Sequence, residues 1–161
     1  MTSTTDGIRD HLLRLLDWRD AHVEYDAAVD GIGPEHRGKT APGLPYSPWQ
    51  LIEHIRIAQS DILDFCLNAS YREKEWPADY WPSQPAPPSD AAWDESLAAY
   101  VRDRDALKQM VGDPTIDLTA KIPHGSGQTY LREVLLVADH TSYHVGQIVL
   151  VRRLLGIWPA A

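Results

Sequence analysis

His140 and His144 stand one helical turn apart in Val134 to Leu155, a segment whose apolar spacing predicts a helix. Side chains at i and i+4 share one face with Cβ atoms roughly 6 Å apart, so two imidazoles so placed can close on one metal ion. Val137, His140, Thr141, His144, Ile148 and Val151 follow the spacing of a single stripe, which puts both histidines inward. An inward imidazole needs partners for its ring nitrogens, and two charged ones a turn apart repel. A hydrogen-bonded pair of core histidines meets that need. So does a metal, which binds neutral imidazole. His54, inward on a separate helical segment, extends the metal reading to three histidines. Three nitrogen ligands leave a position for water or substrate, the pattern of catalytic rather than closed structural sites. Such ligation suits zinc, nickel, copper or iron(II).

Other residues are candidates for the surroundings of this site. His22 is expected toward the inner side of the first helix, as a fourth ligand, a support behind the ligands, or a core histidine satisfied by a carboxylate. His124 sits in a glycine-rich turn before the last helix, either at a pocket rim or as a plain turn residue. Asp61 lies two turns after His54, and Gln147 two turns after His140. Either can accept the second N–H of an imidazole and so fix its tautomer, or orient a bound water. Cys66, among apolar neighbours with no cation nearby, reads as a buried, inert thiol.

Four helical segments must position these groups. The first is expected from Ile8 to Val29, stopped by Gly31 and Gly33-Pro34. The second opens on Ser47-Pro48-Trp49-Gln50, where serine caps, proline takes the first helical position and glutamine completes a capping box. It runs to about Leu67 on a stripe of Leu51, Ile55, Ala58, Ile62 and Phe65. Ser89 or Asp90 caps the third, through about Met110, with Trp93, Leu97, Tyr100, Val101 and Leu107 as inward candidates. The fourth runs from near Thr129 to about Leu155, with Gly156 past its end. Between them, Ser70 to Asp90 holds five prolines yet also Tyr71, Trp76, Tyr80 and Trp81. A disordered tether is poor in aromatics, so this loop is expected to pack onto the helices, over their mouth. The elements predict an all-α fold, a four-helix bundle with long proline- and aromatic-rich loops, forming one domain over residues 1–161.

A formal charge of −8 with no basic patch argues against nucleic acid, because an acidic surface repels phosphates. Arg152-Arg153, the one local cationic pair, reads as two charges placed near a helix C-terminus. No leader segment and no apolar run approaching the ~20 residues of a membrane span is read from the sequence. With one cysteine and no internal disulfide, a cytoplasmic setting is expected.

Ser47-Pro48-Trp49-Gln50-Leu51-Ile52-Glu53-His54 and Asp139-His140-Thr141-Ser142-Tyr143-His144-Val145-Gly146-Gln147, with Pro123-His124-Gly125-Ser126-Gly127-Gln128-Thr129 between them, resemble the DinB-like superfamily. The resemblance reaches from the first helix to Trp158. It implies an up-down-down-up bundle, often a homodimer, with a divalent metal, usually zinc or nickel, on three histidines. Carried across, these are His54, His140 and His144; iron or manganese are further options. It also implies a small-molecule substrate, with a low-molecular-weight thiol as the candidate partner of a transferase or isomerase. Metal-assisted hydrolysis and a non-catalytic metal-binding or stress-response role are the alternatives.

Overall fold

The structure is a computed structural model and describes residues 4–17 and 21–159. Among them are five α-helices and no strand: α1 (Thr4–Asp17), α2 (Tyr25–Val29), α3 (Pro48–Leu67), α4 (Asp90–Gly112) and α5 (Tyr130–Leu154). A 3-10 turn covers Pro34–His36, and Lys121 and Thr129 form an isolated antiparallel bridge.

Local chemistry explains the sharp ends of α3 and α5. At Ser47 the side chain accepts from the Gln50 amide while the Gln50 side chain accepts from the Ser47 amide, which satisfies two otherwise orphaned donors. Thr129 caps α5 by accepting from the Arg132 amide. At its other end Gly156 sits at φ +71°, its N–H donates to Arg153 O, and the Ile157 N–H donates to Arg152 O. This is the paired closure that a left-handed residue permits, and it stops the helix.

The first helix departs from expectation. The predicted continuous helix from Ile8 to Val29 is two helices, with residues 21–24 non-helical between them. The two bury their apolar sides in different places, Leu12 and Leu16 in one core cluster and Tyr25, Ala28 and Val29 in another. Tertiary packing thus overrides a helical period that continues across the break. Val101, expected inward, is exposed, as is Ile8.

The core has two parts. The first joins Trp49, Leu51, Ile52 and Ile55 of α3, Trp93 and Tyr100 of α4, and Val145, Ile148 and Val151 of α5. The second joins Cys66 of α3, Leu107, Met110 and Val111 of α4, Val134 and Val137 of α5, and Leu12 and Leu16 of α1. Helix α3 packs on α4 and α5, and α1 packs on the same two helices.

Arg152 is buried, contrary to a simple surface role. Its guanidinium donates to Ala28 O at 2.7 Å at the end of α2 and to Ile157 O at 3.3 Å, and lies over the Trp158 ring. It therefore closes orphaned carbonyls of one helix while tying down the tail of another. By length and composition alone α5 can cross a membrane, with a mean hydropathy of 1.2 over 18 residues. Its inward side chains Val137, Ala138, Val145, Ile148 and Val151 are core residues, which accounts for that apolarity.

Candidate metal centre

Helices α3 and α5 bring three imidazoles together. One ring nitrogen from each of His54, His140 and His144 can be chosen so that all lie within 4.8 Å of one another. The ring centroids are 4.8 Å apart for His54 and His140, 4.7 Å for His54 and His144, and 4.5 Å for His140 and His144. His54 and His144 are buried and His140 is half-buried.

Each ring is oriented by a different device. His54 Nδ1 lies 2.8 Å from the main-chain oxygen of Tyr80, an atom that can only accept, so Nδ1 carries the proton. Neutral His54 then presents a lone pair at Nε2, and His140 Nε2, 3.0 Å away, donates to it. His144 Nδ1 donates to Gln147 Oε1 at 2.6 Å, which leaves His144 Nε2 as a lone pair as well. Trp81 stacks on His54 at 3.7 Å and 9°, and Tyr46 stacks on Trp81 with ring centroids 4.3 Å apart.

The site favours neutral rings. Burial pushes His54 down to about 4, against the pull of the Tyr80 carbonyl and with a smaller push from His144. Burial, then the neighbouring His144 and His54, push His140 down to about 3. His144 is lowered too, mainly by burial, with Gln147 opposing. Neutral imidazole is the ligating form. Three neutral rings, with Nε2 lone pairs on His54 and His144 and with His140 needing only to move the proton it shares with His54, fit a divalent cation.

A cavity of about 690 Å³ opens beside the trio, reached by His54 and His140. Asp61, on α3 two turns after His54, lines it while remaining 8% exposed. Both Asp61 oxygens accept from the Tyr71 hydroxyl at 3.2 Å, and Oδ2 accepts from the Tyr80 hydroxyl at 2.6 Å. Burial, then Asp61, push the Tyr71 phenol up to about 12, and burial followed by the Asp61 bond raises Tyr80 further.

The surrounding candidates divide. Gln147 supports His144 as the tautomer argument requires. Asp61 touches no histidine; it holds Tyr80, whose carbonyl holds His54. His124 lies at the cavity wall, exposed, with Nε2 donating to Phe65 O at 2.7 Å. His22 is not a member of the trio and does not line the cavity. It is exposed rather than inward, with Nδ1 2.8 Å from Val23 O and Nε2 3.0 Å from Ser142 Oγ. It left the inner face because the helix on which its spacing was counted does not continue through residues 21–24. Sequence reasoning missed the Tyr80 carbonyl and the Trp81 stack. A main-chain acceptor has no residue signature, and the only signal was the aromatic content of the loop.

A sequence profile of the DinB superfamily matches residues 17–148. The chain belongs to the DinB superfamily. No curated protein and no solved structure matches it. The matched span contains all three histidines and both helices that carry them, and membership together with the trio is compatible with a metal-binding helical protein. The long loop of this DinB-superfamily chain is folded onto α3. Trp76 lines the cavity and is 68% exposed, whereas Trp49 is packed in the core against Trp93. Cys66 is buried, and burial raises its thiol to about 12, so it is inert at neutral pH.

Proposed function

We propose that the protein is a divalent-metal-dependent enzyme whose centre is His54, His140 and His144, acting on a small molecule in the adjoining cavity with a low-molecular-weight thiol as co-substrate. One observation carries this reading. The three imidazoles converge beside a roughly 690 Å³ cavity that His54 and His140 line, and they are not sealed by a fourth His, Cys, Asp or Glu ligand among the described residues. Zinc or nickel suits three nitrogens best, with iron or manganese behind them. A divalent cation there supplies Lewis acidity, lowering the pKa of a small thiol or water toward neutrality.

The chain's own groups then orient and exclude water. Tyr80 and Gln147 fix two of the rings; Trp81 covers His54; Tyr71 and Tyr80 hold the Asp61 carboxylate at the cavity wall. With both its oxygens engaged by phenols, Asp61 serves as a positioning group and not as a free base. The up-down-down-up arrangement is part of the same proposal. The shared core clusters support it: the starts of α3 and α4 meet the end of α5, and their ends meet its start. Arg9 of α1 donates to Val111 O, and Asp17 pairs with Lys108, so α1 runs against α4.

Cobalt(II)-loaded, untagged protein tests the reading. Adding a low-molecular-weight thiol is expected to produce a near-ultraviolet thiolate-to-cobalt charge-transfer band that is absent in His140→Ala. A cobalt spectrum indifferent to thiols would favour metal-assisted hydrolysis or a non-catalytic metal-binding role.

A further inference from the structure

Away from the histidines, the cavity wall has a chemistry that a metal does not account for. Phe65, Tyr71, Trp76 and Tyr80 line it in two contacting aromatic pairs. Trp76 and Tyr80 have ring centroids 5.4 Å apart, and Phe65 and Tyr71 have theirs 5.1 Å apart. Three carboxylates, Asp61, Glu73 and Glu133, share the wall with one arginine, Arg72.

Glu133 is the informative residue. It is 2% exposed, and a carboxylate held away from water needs donors. Arg132 Nη1 donates to Oε1 at 2.7 Å, from a side chain that is itself 56% exposed. Oε2 accepts from no described residue, yet it is not sealed in the core, so it stays open to the cavity. Glu133 stands seven residues before His140 on α5, and Asp61 stands seven after His54 on α3. The two helices run antiparallel, because the start of α3 meets the end of α5. Both steps therefore lead the same way, each about 10 Å along its helix from the trio. Two buried carboxylates thus share one level of the cavity, beyond the level of the imidazoles. Their like charges repel, and the aromatic rings around them attract cations.

We infer that this level binds a primary ammonium group. Resting on the cavity as the substrate site proposed above, the substrate then carries an amine about 10 Å from the atom that meets the metal. An ammonium brings three donors and a positive charge. One donor serves the open Oε2 of Glu133. The charge lies between Glu133 and Asp61, near Tyr71 and Tyr80, whose hydroxyls both bond to Asp61. A carboxylate or phosphate there would meet like charge on both helices. A quaternary ammonium would suit the rings but leave Oε2 without a donor. Arg72 does not reverse this balance, because Glu73 beside it carries the opposite charge and both are exposed.

Isothermal titration calorimetry on untagged protein, with and without zinc, tests this with four probes of similar shape. These are 2-phenylethylammonium, 2-phenylethanol, 3-phenylpropionate and the trimethylated form of the ammonium. The primary ammonium is expected to bind at least about tenfold tighter than the other three, the worth of a charge-assisted hydrogen bond. Glu133→Gln, with its helicity checked by circular dichroism, is expected to remove that preference and leave 2-phenylethanol within about threefold. Equal affinities for ammonium and alcohol, tighter binding of the carboxylate, or a preference that survives Glu133→Gln would each overturn the inference. So would a trimethylated probe that binds as tightly as the primary one, which leaves recognition to the rings alone. Should Glu133→Gln not fold, the four wild-type affinities decide the matter. An ammonium preference in protein that takes up no zinc would uphold this inference and sink the metal-dependent reaction. Zinc uptake without that preference would do the reverse.

Discussion

His54 makes a different contact through each ring nitrogen, with Tyr80 O at Nδ1 and the His140 ring at Nε2. Removing any one of the three imidazoles removes a third of the ligand set, so His144→Ala is expected to abolish stoichiometric metal binding; equilibrium dialysis checks this. A smaller effect is expected one bond further out. Tyr80→Phe deletes the hydroxyl that donates to Asp61, loosening the loop whose carbonyl fixes His54. Metal affinity is expected to fall about tenfold, the lower end of what supporting groups behind metal ligands contribute. A competition titration with a chromophoric chelator measures it, and unchanged affinity would remove Asp61 and Tyr80 from the site. The depressed imidazoles also predict a pH dependence for the metal-free protein. Their folded values near 4 and 3 lie below the ordinary 6.5. Between the two, the unfolded chain binds more protons, so stability is fully present above about pH 6.5 and lost as pH falls toward 4. Urea midpoints at pH 7 and pH 5 check the sign.

At the scale of elements, much of the chain was legible in the sequence because its stop and start signals are local chemistry. Ser47-Pro48-Trp49-Gln50 predicted a capping box that is present, and Ser89, Thr129 and Gly156 mark ends that the structure shares. Ser47→Ala is expected to cost about 1 kcal/mol in denaturant unfolding, the usual worth of a serine cap. The loss is expected to be no smaller than this, because the Ser47 hydroxyl also donates to Pro85 O across the long loop. What local signals could not reveal depended on distant partners. The break before α2 is set by which core cluster each piece joins, and it carried His22 away from the site. The placement of Tyr80 O and Trp81 against His54 depends on how a 22-residue connection folds back, which no spacing records. The trio itself was legible because i and i+4 on α5, and an inward stripe on α3, are properties of single helices.

Across the whole molecule, α5 serves three sets of contacts at once. It supplies two histidines to the imidazole trio, a buried stripe to both core clusters, and Arg152 to the end of α2. Arg152→Ala is expected to destabilise the protein by about 3 kcal/mol, because charged hydrogen bonds are lost and buried carbonyls are left unpaired. Differential scanning calorimetry would show the loss as a lowered Tm, and an unchanged Tm would deny Arg152 its tying role. The proposed function requires the imidazole trio to hold a metal. Elemental analysis of untagged protein, reconstituted with zinc, nickel or manganese and then desalted, tests this most directly. The predicted result is about one metal per chain, as a single three-histidine site requires, and its loss in His140→Ala. Less than about 0.1 metal per chain with every cation offered would contradict a site built to bind it.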